Sequence, residues 1–127
     1  MNNQTKFKVW DKLAQHMIYP DKGYQQHYIL DLNGRFHNLQ NGSGGDDYVV
    51  MEYTGLTDSN DKEICEGDIL TYKTGVNGQV LYEADHGGYI FQWKRNGPNQ
   101  NYINLNCDVA FESVIVGNIF ENSELLK

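Results

Sequence analysis

Residues 53–72, Tyr-Thr-Gly-Leu-Thr-Asp-Ser-Asn-Asp-Lys-Glu-Ile-Cys-Glu-Gly-Asp-Ile-Leu-Thr-Tyr, constrain the fold more than any other stretch. Two reversal signals stand close together there, with only short apolar runs between them. Asp58-Ser59-Asn60-Asp61 is a run of side chains that bond their own backbone and tolerate turn geometry. It folds 53–56 back toward Glu63-Ile64. Glu66-Gly67-Asp68 is a second corner, because glycine can take a positive φ or admit another backbone, as a bulge or tight bend requires. Ile69-Leu70-Thr71-Tyr72 beyond it suits a pleated, half-buried surface. A chain interrupted this often has no room for long helices and must build short strands.

The same punctuation recurs along the rest of the sequence. Over 5–10, Phe7 and Val9 fall on one face and Lys6 and Lys8 on the other, the pattern of a half-buried strand. Asp11-Lys12 starts a turn, and His16-Met17-Ile18-Tyr19 returns until Pro20 stops it. Tyr28-Ile29-Leu30-Asp31-Leu32 is a further strand, and Asn33-Gly34 after it is the strongest short hairpin signal in the chain, with Arg35-Phe36-His37 returning. The opening therefore reads as two short hairpins in series. Residues 47–53, with Val49-Val50-Met51, read as a strand in preference to a short helix. Asn77-Gly78 predicts a hairpin turn leading from 69–73 into Gln79-Val80-Leu81-Tyr82-Glu83. His86-Gly87-Gly88 turns the chain into Tyr89-Ile90-Phe91-Gln92-Trp93, whose three rings share one face. Asn96-Gly97-Pro98-Asn99 breaks that run, Tyr102-Ile103-Asn104-Leu105 is a short strand, and Val114-Ile115-Val116 precedes Gly117 and Ile119-Phe120. Asn122-Ser123-Glu124-Leu125-Leu126 reads as one capped helical turn, with Asn122 or Ser123 as the cap. Regular turn signals after Ile64 are those of a small all-β barrel or sandwich.

A length of 127 residues is that of one ordinary domain. Nine Tyr and 13 Gly suit a turn-rich β protein whose core leans on rings. The formal charge of −7 argues against unaided binding to a phosphate backbone, which needs a Lys/Arg footprint. No apolar run approaches the roughly 20 residues of a membrane helix, and the first residues lack a signal peptide's apolar stretch. The expectation is a cytoplasmic chain with reduced thiols.

Readings of the sequence as a reactive site fail one by one. Asp58 and Asn60 alternate as in a calcium loop, but Glu63 stands where that loop needs Gly and Ile69 where it needs a bidentate Glu. Glu63, Glu66 and Asp68 are read as solvated turn carboxylates rather than an acidic catalytic cluster. Gly42-Ser43-Gly44-Gly45 has no Lys-Ser/Thr and no helix after it, so it is read as a surface loop within the linker-like 40–47, not a phosphate cradle. His16, His27, His37 and His86 show no metal spacing to one another or to Cys65 and Cys107. Cys107 with His86 can be drawn as nucleophile and base, and Asp85 with His86 as a hydrolase pair. Two small buried thiols and surface histidines are the plainer reading. No catalytic residue, cofactor or metal is expected. Tyr72, Tyr82, Tyr89, Phe91 and Trp93 lie on adjacent predicted strands and are the candidate binding surface. They form either the core of the β framework or an aromatic platform for protein contact, with base stacking disfavoured by the charge.

Tyr53-Thr54-Gly55-Leu56, Lys62-Glu63-Ile64 and Glu66-Gly67-Asp68-Ile69 together resemble the YopX family of phage and prophage proteins. Phe7-Lys8-Val9-Trp10-Asp11 with Met17-Ile18-Tyr19 looks like that family's opening segment, and the stretch from Gly117 to Leu126 like its close. Cys65 departs from the family, which usually carries an aromatic residue there. The resemblance implies a mostly β protein with an SH3-like barrel, encoded by a bacteriophage or prophage, and it implies no enzyme activity. The expectation is one domain over 1–127, with a β-hairpin region at 5–52, a barrel core at 53–127 and a short C-terminal helical turn. Its expected role is that of a non-enzymatic module in the host cytoplasm that forms a homo-oligomer and meets a host or phage protein partner. A nucleic-acid-associated small barrel is the alternative, favoured if an aromatic strip is flanked by Lys73, Lys94 and Arg95.

Overall fold

The computed structural model describes residues 7–19, 28–30, 35–38, 45–73, 75–93 and 101–127. The protein is mostly β-sheet and divides into two compact units, Met1–Glu52 and Tyr53–Lys127.

In Met1–Glu52, β1 (Phe7–Asp11) pairs antiparallel with β2 (His16–Ile18) and with the first half of β5 (Tyr48–Thr57). The β1–β2 reversal is closed by Asp11, whose Oδ1 accepts the backbone N–H of Leu13 and of Ala14, each at 3.0 Å. Short polar side chains hold turns in this way. Flanked on both edges, β1 is not the half-buried strand its alternation predicts: Val9 and Trp10, on opposite faces, are both buried. The alternation ends at Lys8, and Trp10 supplies an apolar surface to the second face. A second hairpin pairs β3 (Tyr28–Leu30) with β4 (Phe36–Asn38). Its expected Asn33-Gly34 turn lies outside the described residues, as do Pro20 and positions 40–44 of the expected linker, 40–47. Val9, Phe36 and Tyr48 make this unit's small core, and the Phe36 and Tyr48 rings meet edge to face at 5.0 Å.

Strand β5 is longer than the Val49-Val50-Met51 signal suggests, and its second half belongs to Tyr53–Lys127. There it pairs with β6 (Glu63–Cys65), Tyr53 opposite Cys65 and Thr57 opposite Glu63. The pairing shifts register between those two positions, around Gly55 at φ 90°. That conformation favours glycine, which explains the Tyr-Thr-Gly-Leu signature locally. The remaining strands form one antiparallel sheet in the order β10 (Asn101–Asn104), β9 (Gly88–Trp93), β8 (Val76–Glu83), β7 (Asp68–Tyr72), β11 (Ser113–Asn118). Curling gives half of a barrel. Among the described pairings β10 and β11 do not join, so the SH3-like closure implied by the resemblance is not seen there. Ile64, Leu70, Val80, Phe91 and Leu105 fill one side, covered by Val109 and Ala110 of α1 (Cys107–Phe111).

Two sequence expectations are corrected here, and one element is added. The β7–β8 hairpin forms, but Asn77-Gly78 is not its turn: Tyr72 pairs with Val76 and Thr71 with Asn77, so the reversal comes before Val76. Asn77 is held inside the strand pair, its Oδ1 accepting from Thr71 Oγ1 at 2.6 Å and its Nδ2 donating to the Leu125 carbonyl at 3.3 Å. Helix α1 carries no periodic signal because it is shorter than two turns. Its one legible mark is Asn106, whose Oδ1 caps the Val109 N–H at 3.0 Å. Asn106→Ala is expected to cost about 1 kcal/mol, read as a lower urea midpoint. Finally, the C-terminal turn Ser123–Leu126 is a 3-10 turn whose Asn122 makes no side-chain cap bond. Asn122 Oδ1 instead accepts from the Asn118 N–H at 3.1 Å, bracing the end of β11.

Candidate interaction surface

The five rings singled out by sequence do not share one environment. Phe91 is fully buried, and Tyr72, Tyr89 and Trp93 are half-buried against the core. Tyr72 meets Phe91 edge to face at 5.8 Å, and Trp93 lies 5.7 Å from it on the other side. Strand alternation explains this: Tyr89, Phe91 and Trp93 occupy the face of β9 that points at Val80 and Leu70. Tyr82 stands apart, 53% exposed at the end of β8, edge to face with Tyr89 at 5.4 Å.

Two further rings meet on the other face of the sheet, since Tyr102 pairs with Gln92 whereas Tyr82 pairs with Tyr89. β8 and β9 are connected by a 3-10 turn, Ala84–His86, ended by Gly87 at φ 71°, whose N–H reaches the Ala84 carbonyl at 3.0 Å. This turn aims the His86 ring at Tyr102 of β10, where the two stack at 4.6 Å. Sequence reasoning treats His86 as a surface histidine and Tyr102 as a strand residue, and does not bring the two together. The signal was weak: a histidine in a predicted turn, and a tyrosine alternating with Ile103 on a strand whose other members are asparagines. Glu66 lies beside Tyr82, its Oε2 accepting from the Tyr82 N–H at 3.4 Å.

The carboxylates of the centre stretch differ from the expectation. Asp68 is buried rather than solvated, and Asp58, expected to bond its own turn, does so while buried. Asp68 Oδ2 accepts the Cys65 N–H at 2.8 Å, closing the Glu-Gly-Asp corner around Gly67 at φ 88°. Asp58 Oδ1 accepts the N–H groups of Asn60 and Lys62, and its Oδ2 that of Ile115, all at 2.9 Å. Buried carboxylates need such donors to offset lost hydration. Glu63 is exposed and Glu66 partly so. Cys65 is buried, but Cys107 is exposed at the start of α1, not the buried thiol expected. Cys107 has no hydrogen bond to His86 among the described residues. Among the described residues no three of His, Cys, Asp and Glu gather into a group that could hold a metal ion.

A second exposed apolar group lies at the other margin of the sheet. Val114 and Val116 alternate outward from β11, and Phe111 at the end of α1 is 75% exposed. The β11 edge itself is partly closed: the Ser113 carbonyl accepts from the Ser59 N–H at 2.8 Å, and the Ile115 N–H is the one bound by Asp58. Lys73 sits near this margin, 5.3 Å over the Tyr72 ring and 3.9 Å from Glu112. Lys94 and Arg95, expected to flank an aromatic strip, lie outside the described residues. Charge is uneven between the units. Residues 53–127 carry 11 acidic and 5 basic side chains, a formal −6, against 6 and 5, a formal −1, in residues 1–52.

These observations define a mostly β protein built on a curled antiparallel sheet, with buried carboxylates bracing its turns. The chain belongs to the YopX protein family, whose model matches residues 6–127. It is also similar in fold to the crystal structure of protein EF1440 from Enterococcus faecalis, with a TM-score of 0.64 over 99% of this chain and 100% of that one, at 22% identity. No curated protein matches the chain. No helix among the described residues is long and apolar enough to cross a membrane.

Proposed function

We propose that this chain is a bacteriophage or prophage accessory protein that acts in the host cytoplasm by touching other polypeptides, itself included, and makes or breaks no covalent bond. The observation that carries the reading is how the side chains of Tyr53–Lys127 are employed. Polar groups suited to chemistry are built into the frame: Asp58 and Asp68 hold backbone N–H groups, and the buried Ser113 hydroxyl donates to the Val109 carbonyl at 2.7 Å. Large apolar groups are meanwhile left outside, among them Tyr82, Tyr102, Phe111, Val114 and Val116. Exposed rings and branched aliphatics gathered at sheet margins are what protein contacts use.

The outward face of β11 is the surface on which self-association rests. Light scattering on a sizing column is expected to find the wild-type chain as a dimer or larger at micromolar concentrations. Val114→Asp with Val116→Asp is expected to return it to monomer without changing its circular dichroism. A wild-type chain that stays monomeric across that range would remove self-association from the proposal. The nucleic-acid reading is disfavoured by the −6 charge of residues 53–127, and salt-dependent retention on a DNA or RNA column would restore it.

A further inference from the structure

The two outer strands of the five-stranded sheet differ in what their backbones meet. In an antiparallel ladder, successive residues aim their N–H and C=O at one neighbour and then at the other. On β10 the phase is fixed by the Leu105 N–H, which donates to the Tyr89 carbonyl at 3.0 Å. Asn101 and Ile103 therefore aim their backbone groups at β9, opposite Trp93 and Phe91. Tyr102 and Asn104 aim theirs outward, where none of these groups meets a hydrogen-bond partner among the described residues. On β11 the same alternation aims Ser113 and Ile115 outward, and there the chain supplies partners. The Ser59 N–H donates to the Ser113 carbonyl, and Asp58 Oδ2 accepts the Ile115 N–H. β10 also lacks the usual guards of an open edge, since it contains no Lys, no Pro and no bulge.

We propose that β10 takes the β10 strand of a second copy of this chain, antiparallel, about a twofold axis at Ile103. Symmetry restricts the register to one in which some residue lies opposite its own mate. With Ile103 at the axis, Tyr102 of each copy lies opposite Asn104 of the other. Both pairs are then of the hydrogen-bonded kind, and every outward N–H and C=O of Tyr102 and Asn104 is used. With Asn104 at the axis, Tyr102 would need Asn106, whose carbonyl already accepts from the Ala110 N–H at 2.9 Å. The Ile103 register also brings the two isoleucines together on the face that carries Val80 and Phe91, extending that apolar layer. β10 bears no charged side chain, so no like charges are set opposite one another despite the formal −6 of each unit 53–127. Four residues a side make a small contact, with an expected Kd of about 0.1 mM. The inference rests on the self-association reading above and gives it a second, separate contact of stated register.

The test uses the full chain carrying Val114→Asp with Val116→Asp, which removes the β11 contact. Amide hydrogen exchange is followed by NMR from about 10 μM to about 1 mM. The Tyr102 and Asn104 amides are expected to exchange about fourfold more slowly at the upper concentration, while amides away from β10 keep their rates. Asn104→Pro removes an outward donor and no internal bond, a substitution that edge strands accept. It is expected to abolish the concentration dependence at Tyr102. Asn104→Ala leaves the backbone donor in place and is expected to preserve the dependence. A mixture of isotope-labelled and unlabelled copies gives a readout that needs no change in β10, and it is expected to show contacts between the Ile103 methyl groups of the two copies. That readout decides the matter if Asn104→Pro fails to fold. Exchange at Tyr102 and Asn104 that ignores concentration overturns the proposal, and so does slowing that persists in a folded Asn104→Pro chain. The two self-contacts fail separately. A wild type that is monomeric at micromolar concentration, with β10 amides that slow on further concentration, strikes the β11 contact alone. A micromolar dimer whose β10 amides ignore concentration strikes the β10 contact alone.

Discussion

Replacing Asp58 with Ala is expected to lower the unfolding free energy of Tyr53–Lys127 by about 3 kcal/mol. The side chain is 4% exposed and accepts three backbone N–H groups, two within its own turn and one, from Ile115, on β11. Hydrogen bonds to a charged acceptor contribute more than neutral ones, and a buried donor left without a partner costs about 1–3 kcal/mol. Relaxation and entering water return part of that, which sets the net figure below the sum. Asp58→Asn keeps one acceptor but brings an NH2 against an N–H, so it is expected to fall between Ala and wild type. Urea unfolding followed through Trp93, in a Trp10→Phe background so that one ring reports, gives the measurement. The midpoint is expected to drop with the slope unchanged. A change of less than about 0.5 kcal/mol would mean that the turn is held without its carboxylate.

Gly78→Ala is expected to cost about 2–3 kcal/mol, although alanine is ordinarily the better strand residue by about 0.5–1 kcal/mol. The sign depends on space. A Cβ at Gly78 would lie 2.7 Å from the Gln92 carbonyl oxygen and 2.7 and 2.8 Å from two atoms of the Phe91 ring. The carbonyl belongs to the β8–β9 pairing, and the ring is fully buried, so neither yields cheaply. Gly75, at the β7–β8 reversal, has nothing within 4 Å of its Cβ position, and Gly75→Ala is expected to change stability by less than about 0.5 kcal/mol. Phe91→Leu introduced on top of Gly78→Ala is expected to recover part of the loss, by vacating the volume the methyl group needs. Thermal denaturation of the four chains checks the ordering.

The same glycine shows what sequence could and could not reveal. Asn77-Gly78 has the composition of a two-residue turn, and local chemistry offers nothing against that reading. What decides otherwise is Phe91, thirteen residues downstream in the sequence, whose ring reaches diagonally over Gly78 from its place opposite Val80. The Asp58 run was legible as a turn because its side chains act on their own backbone. Its bond to Ile115 was not, since no local pattern announces a contact that distant. Strand existence was readable from alternation wherever one face is wet, as in 113–118, and misleading where both faces are covered, as in β1. At the candidate surface, Tyr82 and Tyr89 followed from strand positions. His86 and Tyr102 meet only because a 3-10 turn swings one over a neighbouring strand.

The bonds from Asp58 and Ser59 to β11 bear on how large any assembly of this protein can grow. A sheet that accepts a new strand at both sides can propagate into a fibre. In the five-stranded sheet the β11 side is partly stoppered by the chain's own loop, so strand addition to that sheet is left mainly to the β10 side. Two molecules meeting edge to edge at β10 use up that opening, and growth through this sheet stops at a pair.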